Sequence, residues 1–427
     1  MNIESLHNLF LKHNSVCTDT RKLKEGDLFF ALKGDNFNGN LFAEDALNNG
    51  AAFAIIDEQN NAEDNRYILV EDVLTTLQQL AKYHRQQLGT KIIALTGSNG
   101  KTTTKELINV VLSTRYKTTA TVGNLNNHIG VPLTLLSMNK STEIGIVEMG
   151  ANHLKEIEFL CAIAQPDYGY ITNFGKAHLE GFGSVEGVII GKSELYKYLS
   201  ANNKLIFVNS DDKKQVEILK DYKNLYSFGS SKTNQTTIGF EDANPFVISK
   251  FKNERIKSRL IGSYNFTNIS AAIAIGNYFN IEASSIKNAI ENYIPSNNRS
   301  QIITKGTNKV IMDAYNANPS SMKAALDNFE KQQDTVKIAI LGDMLELGDD
   351  AEKEHQYIAE LATTMPFNYV ILIGENFSNT TIDSPKVTLF NSFESFKTNF
   401  DVSQLYKATL LIKGSRSMAL ERILDII

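Results

Sequence analysis

A short run, Leu95-Thr96-Gly97-Ser98-Asn99-Gly100-Lys101-Thr102-Thr103, holds the residue types that grip a polyphosphate. Glycine lets backbone N–H groups close on phosphate oxygens, and a helix starting there points its positive end at them. Lys101 is placed to reach the β- and γ-phosphates, and the Thr102 hydroxyl to ligate magnesium. The general Gly-x-x-x-x-Gly-Lys-Ser/Thr pattern asks for glycine at position 95, where Leu95 stands, so a shorter loop is implied. An ordinary strand-to-helix turn is the alternative. The absence of an Asn-Lys-x-Asp base-reading run argues against a signalling GTPase.

Other chemistry-bearing residues fall at the ends of apolar runs. Glu148 closes Ile144-Gly145-Ile146-Val147, and a carboxylate at the carboxyl end of a parallel strand is well placed for magnesium. His178 follows Tyr168-Gly169-Tyr170-Ile171 on the same expected sheet edge, as a metal or phosphate ligand or an idle loop histidine. His153 has no such placement and reads as surface. The run from Gly123 to Pro132 offers Asn126 and Asn127, neutral amides that can bind an acyl-phosphate or peptide without adding charge; an asparagine-rich turn is the alternative. Lys192, in Gly191-Lys192-Ser193-Glu194, reads by pattern alone as a solvated helix lysine.

The elements that must position these residues follow from hydrophobic periodicity. In residues 1–85, the runs 27–32 and 51–56 read as buried strands, with a helix closed by Gly50 between them. Val73, Leu74, Leu77, Leu80 and Ala81 recur at helical spacing. In residues 86–294, apolar strands alternate with helices, which indicates a parallel sheet covered on both faces. The stretch 225–262 alternates in polarity and fits antiparallel strands appended to that sheet, with a helix over 265–278. Pro295-Ser296-Asn297-Asn298 is the clearest linker and expected hinge. In residues 295–427, the runs 310–312, 338–341, 370–373 and 410–412 read as a second open sheet. The expected fold class is α/β in three domains: a small mixed N-terminal domain, a central phosphate-loop domain with a parallel sheet, and a C-terminal Rossmann-like open sheet.

Composition narrows the function classes. The 427 residues are 42% hydrophobic and 21% charged, the profile of a soluble globular protein. A net charge of −5 gives no global basic field for nucleic acid. Cys17 and Cys161 form neither a disulfide framework nor a metal spacing. The N-terminal run lacks the charge and apolar pattern of a secretory signal, and no apolar stretch approaches the ~18 residues of a membrane span. A cytoplasmic location without membrane insertion is expected.

Together these motifs resemble the Mur ligases, ATP-dependent amide-bond-forming enzymes of peptidoglycan synthesis. The resemblance is carried by residues 96–103, 123–136, 148–153, 177–184, 313–319, 341–348 and 413–416. It departs from the family at Tyr264, where histidine is usual, at Asn298 before Arg299, and at residues 35–40, where Asp-Gly-His is familiar. It implies a first domain for a UDP-sugar, a second for ATP and a third for the incoming amine. The cofactors implied are ATP, cradled by Gly97, Ser98, Asn99, Gly100, Lys101, Thr102 and Thr103, and magnesium (Mg2+), held by Thr102, Glu148 and His178. Lys192 matches the lysine that family members carry as a carbamate bridging a second metal. Asn265 and Asn268 match residues near the nucleotide, Arg299 and Asp313 match contacts to ATP from the third domain, and Tyr315 and Asn316 join Asn126 and Asn127 as substrate-binding residues. Lys101, His178 and Lys192 are the implied catalytic set. The implied partners are small molecules: a UDP-N-acetylmuramoyl-tripeptide ending in lysine or diaminopimelate, and D-alanyl-D-alanine, handled by a monomer. A sister ligase adding the third amino acid is the nearest alternative, though no Asp-Asn-Pro-Arg run occurs. A folylpolyglutamate synthetase would lack a separate UDP-sugar domain, and a non-catalytic ATP-binding scaffold is the alternative from another class.

Overall fold

A computed structural model describes residues 1–13, 15–59, 64–295 and 298–427. Of the expected hinge, Ser296 and Asn297 lie outside the described residues. Among the described residues no helix is long and apolar enough to cross a membrane. Both cysteines are free and buried.

The first sheet pairs four strands in parallel, Val16–Cys17, Leu28–Phe30, Phe53–Ile56 and Tyr67–Leu69. Helix Val73–Leu88 starts where the Asp72 side chain accepts from Thr75 N and ends at Gly89, whose φ of 64° is natural to glycine. Its buried stripe, including Leu77, Leu80 and Ala81, shares one core with Val131, Leu135 and Ile157 of the central region. A histidine pair reinforces that join. His84 Nε2 lies 2.9 Å from the Met138 carbonyl and so carries the proton, leaving Nδ1 to accept from His7 Nε2 at 3.0 Å.

The central sheet has nine strands, in the order Thr118–Ala120, Ile144–Glu148, Lys91–Thr96, Tyr168–Ile171, Leu205–Asn209, Leu225–Gly229, Thr236–Asp242, Phe246–Phe251 and Glu254–Ile261. The first seven run parallel, and antiparallel pairing begins between Thr236–Asp242 and Phe246–Phe251. This corrects the expectation for 225–262 at its first strand, while Phe246–Phe251 pairs antiparallel with both its neighbours as expected. Leu225–Gly229 pairs parallel with both neighbours; helix Lys213–Ile218 carries the chain back across the sheet before it, which accounts for the pairing with Leu205–Asn209. Its polar alternation reflects half burial rather than strand direction. After Lys91–Thr96 the chain crosses to the Thr118–Ala120 edge, returns through Ile144–Glu148, and then continues on the other side with Tyr168–Ile171. The crevice at that reversal is where open α/β sheets bind ligands.

The C-terminal sheet orders Gln301–Lys305, Asn308–Asp313, Thr409–Lys413, Lys337–Gly342, Tyr369–Ile373 and Val387–Phe390. The first pair is antiparallel and the rest parallel. The last parallel strand in sequence, Thr409–Lys413, inserts between Asn308–Asp313 and Lys337–Gly342, so Asp313 and Lys413 emerge side by side at its carboxyl edge.

Candidate active site

One cavity of 1360 Å³ opens between the carboxyl edges of the central and C-terminal sheets, with Leu74 and Gln78 of helix Val73–Leu88 on its wall. Residues 98–103 line its floor and open helix Lys101–Leu112. The loop is held from below by the end of the neighbouring strand. Ser98 N donates to Asn173 O at 3.1 Å, Asn99 N to Asn173 Oδ1 at 3.0 Å, and Thr172 Oγ1 to Asn99 O at 2.6 Å. Two glycines are required here. Gly97 sits at φ 142°, and a Cβ on it would lie 2.0 Å from Thr172 Oγ1. Gly100 sits at φ 78°, and a Cβ there would lie 2.5 Å from Asn268 Oδ1.

Lys101 folds back over the loop, with Nζ donating to Gly97 O at 2.7 Å and Ser98 O at 3.3 Å. Burial lowers its proton affinity, Glu148 opposes that shift and Arg299 adds to it. The site holds a strained positive charge that an entering polyphosphate would relieve.

Glu148 is 1% exposed. Its Oε1 accepts from Thr102 Oγ1 at 3.2 Å and from Asn126 Nδ2 at 2.8 Å, while its Oε2 is buried without a partner among the described residues. A buried carboxylate oxygen facing no donor is costly unless a cation joins it. The hydroxyl and the orphaned oxygen side by side are hard oxygen donors of the kind magnesium takes, so the residues fit that ion. Among the described residues no three His, Cys, Asp or Glu side chains cluster as a preformed metal site. His178 lines the same cavity, at φ 54°, with Nδ1 2.5 Å from Glu346 Oε2 of the C-terminal region. That ring draws the Glu346 carboxyl below its usual range.

Lys192 differs most from its pattern. It is fully buried rather than solvated, on helix Val185–Ala201, with Nζ donating to Ala151 O at 2.7 Å and lying 4.9 Å from the Phe182 ring centre. Burial, reinforced by Lys101, pushes its proton affinity well down, against Glu156 and Glu194. Burial of this kind favours the neutral amine, which is the nucleophilic form.

The asparagines divide. Asn126 touches Glu148 directly, whereas Asn127 Oδ1 accepts from Ile129 N and Gly130 N and so caps helix Gly130–Leu136; both line the cavity. Asn268 Oδ1 accepts from Thr104 Oγ1 at 3.0 Å, and its Nδ2 donates to Asn265 Oδ1 at 2.8 Å, so the pair braces the phosphate-loop helix while lining the cavity.

From the facing sheet come Arg299, Asp313, Tyr315 and Asn316. The Arg299 guanidinium stacks 3.7 Å from the Tyr315 ring centre, and its buried Nε has no partner among the described residues. Asp313 accepts from Ser300 N at 3.1 Å and from Lys413 Nζ at 2.6 Å. Lys413 and Asn318 were not singled out from sequence. Lys413 is 2% exposed and ends an apolar strand, a signal that would have found it. Asn318 caps helix Pro319–Glu330 and also donates to Asn99 Oδ1 at 2.8 Å, tying the C-terminal region to the phosphate loop. His153 is exposed as expected, yet it stands on the cavity wall.

Comparison with known proteins bears on this site. Family profiles match residues 12–85 ("Mur ligase family, catalytic domain"), 95–276 ("Mur ligase middle domain") and 298–415 ("Mur ligase, glutamate ligase domain"). The chain is 37% identical over 429 residues to the UDP-N-acetylmuramoyl-tripeptide--D-alanyl-D-alanine ligase of Bacillus subtilis, covering 96% of this chain and 92% of that protein. A crystal structure of MurF from Acinetobacter baumannii superposes with a TM-score of 0.87 at 31% identity, covering 96% of this chain and 92% of that one. A MurF ligase from Thermotoga maritima in complex with ADP superposes at 0.83 with 26% identity, covering 97% of each chain.

Proposed function

The chain belongs to the Mur ligase family, and we infer from that premise and from the site that it joins D-alanyl-D-alanine to a UDP-N-acetylmuramoyl-tripeptide with hydrolysis of ATP. The observation that carries the reading is the Glu148 carboxylate, buried against the Thr102 hydroxyl with one oxygen free, at the foot of a phosphate loop.

The reaction makes a carboxylate electrophilic in one step and consumes it in the next. The terminal carboxylate of the tripeptide attacks the γ-phosphorus of ATP, giving an acyl-phosphate and ADP. The amine of the dipeptide attacks the activated carbonyl, and the tetrahedral adduct expels phosphate. Lys101, freed from its loop carbonyls, neutralises charge on the transferring phosphoryl oxygens. Gly97, Gly100 and Thr103 present backbone donors to the phosphates, while Ser98 and Asn99, whose N–H groups Asn173 takes, shape the loop around them. Thr102, Glu148 and His178 are the residues assigned to magnesium, which supplies Lewis-acid neutralisation when bound. Asn265 and Asn268 hold the loop against the nucleotide, and Arg299 and Asp313 approach it from the C-terminal region. Asn126, Asn127, Tyr315 and Asn316 are assigned to the acyl and amine substrates. Lys192 is assigned as the carbamate-bearing lysine: its neutral amine adds to carbon dioxide and loses a proton, turning a donor into a hard oxygen ligand. Excluding water protects the acyl-phosphate, and the contacts of Asn318 with Asn99, and of Ser320 Oγ with Lys176 N at 2.9 Å, hold the C-terminal sheet over the site.

By the same reading, residues 1–85 take the UDP-sugar, 86–294 ATP and 295–427 the dipeptide. By this reading the enzyme works as a monomer in the cytoplasm. The test is phosphate release by the purified protein. Release should require ATP, the UDP-tripeptide and D-alanyl-D-alanine together. Turnover with a UDP-dipeptide and a diamino acid instead would assign the sister reaction, and no turnover would leave only a nucleotide-binding scaffold.

A further inference from the structure

Helix Val185–Ala201 sends two buried charged side chains to one turn, residues 150–155, which leaves the Glu148 strand end and forms part of the cavity wall. The first is Lys192, on the Ala151 carbonyl. The second is Glu194, 7% exposed, which no step above uses. Its Oε1 accepts from Lys155 N at 2.6 Å and its Oε2 from Glu158 N at 3.0 Å. Those are two of the donors that helix Glu156–Ala164 leaves unpaired at its start, so the cap comes from a different helix. Lys155 itself sits at φ 69°, in the left-handed region that a side chain disfavours. Glu156 Oε2 closes the turn from within by accepting from Asn152 N at 2.7 Å and His153 N at 2.9 Å.

The two prongs are not equivalent. An ammonium has three donors, and a carbamate nitrogen keeps one N–H. The modification assigned to Lys192 changes the group that meets the Ala151 carbonyl and leaves Glu194 as the support that does not change. We propose that Glu194 is a positioning residue: its carboxylate holds the left-handed turn at Lys155, and thereby sets the cavity wall of residues 151–154 against the UDP-peptide. The wall lies beside Asn126, and the neighbouring His128 carbonyl accepts from Gln78 of the first unit at 3.0 Å, so it borders the UDP-peptide side rather than the phosphate loop. This inference rests on the ligase reading given above.

The test uses the full-length enzyme and three variants. Glu194→Gln keeps the shape but faces one N–H with an NH2 group. It should raise KM for the UDP-tripeptide about tenfold, as expected for a misplaced binding wall, while KM for ATP stays within about twofold. Lys155→Gly, which adopts φ 69° without strain, should recover most of the Glu194→Gln loss in the double variant, measured against Lys155→Gly alone. Equal rises in both KM values, or no recovery in the double variant, would overturn the proposal. So would insolubility of Glu194→Gln with and without Lys155→Gly, since that would mark a core support only. Failure of the ligase reading is distinct, because the wild-type enzyme would then release no phosphate with the three substrates.

Discussion

Glu148→Gln separates a binding charge from a structural one. The side chain is 1% exposed; Oε1 serves two donors, Thr102 Oγ1 and Asn126 Nδ2, and Oε2 serves none. Glutamine keeps the volume and can keep Oε1 in place, so the change mainly erases a buried charge. An unsatisfied buried charged group costs about 1–3 kcal/mol or more. The attraction to Lys101 returns part of that, since Glu148 is what supports the Lys101 charge. The net expectation is a ligand-free protein stabilised by about 1 kcal/mol, a rise of roughly 2–4 °C in unfolding midpoint for a unit of this size. Activity should move the other way, because the magnesium position loses its carboxylate: phosphate release should fall on the order of 100- to 1000-fold. The assays are a thermal melt in chelator without nucleotide, and phosphate release over a magnesium series. A midpoint lowered by several degrees would show that Glu148 is chiefly a structural anchor. Activity within tenfold of wild type at low magnesium would show that the metal sits elsewhere.

Lys101→Ala should lower phosphate release on the order of 100-fold with the melt unchanged, since Nζ bonds only loop carbonyls in the free protein; near-normal turnover would mean that the loop is misread. Lys192→Ala should abolish ligation, and short carboxylic acids should restore part of it; full activity without them would refute a carboxylate-like role. The His7–His84 pair gives a pH dependence. Burial lowers both pKa values from 6.5, so the neutral pair contributes fully above that pH and its contribution is lost as pH falls through the lowered folded values. The midpoint difference between wild type and His84→Gln should therefore be largest near pH 7 and narrow toward pH 5; a difference that widens on acidification would contradict the tautomer chain.

Local signals made part of this site legible in the sequence. The phosphate loop is a contiguous run after an apolar strand, and Glu148 is the last residue of another, so periodicity alone placed both on one edge. The helix expected over 265–278 spans Asn265–Tyr278, because its alanines and isoleucines are buried. What stayed hidden depends on distant register. Lys192 reads as solvated because one lysine in a helical pattern usually is, and only the Ala151 carbonyl and the Phe182 ring, from other elements, explain its burial. The Asp313–Lys413 pair spans 100 residues and exists because two strands far apart in sequence are neighbours in the sheet. The direction of Leu225–Gly229 depended on a short crossover helix whose pattern is weak.

The electrostatics of the cavity explain why these parts must be brought together. Lys101 carries a charge disfavoured by burial and by Arg299, Arg299 has a buried nitrogen without a partner, and Glu148 has a buried oxygen without one. Each deficit would be an isolated flaw in a purely structural site: the cations are short of an anion and the carboxylate oxygen is short of a cation. A metal-bound polyphosphate supplies both signs within one ligand. Asn99 adds the mechanical counterpart: its backbone is tied to Asn173 and its side chain to Asn318 of the facing sheet. A ligand that orders the phosphate loop therefore also favours the C-terminal sheet in place, and a sheet held in place brings Arg299 to the phosphates. Charge completion and enclosure are then one equilibrium, which lets the site hold an acyl-phosphate away from water only while its substrates are bound.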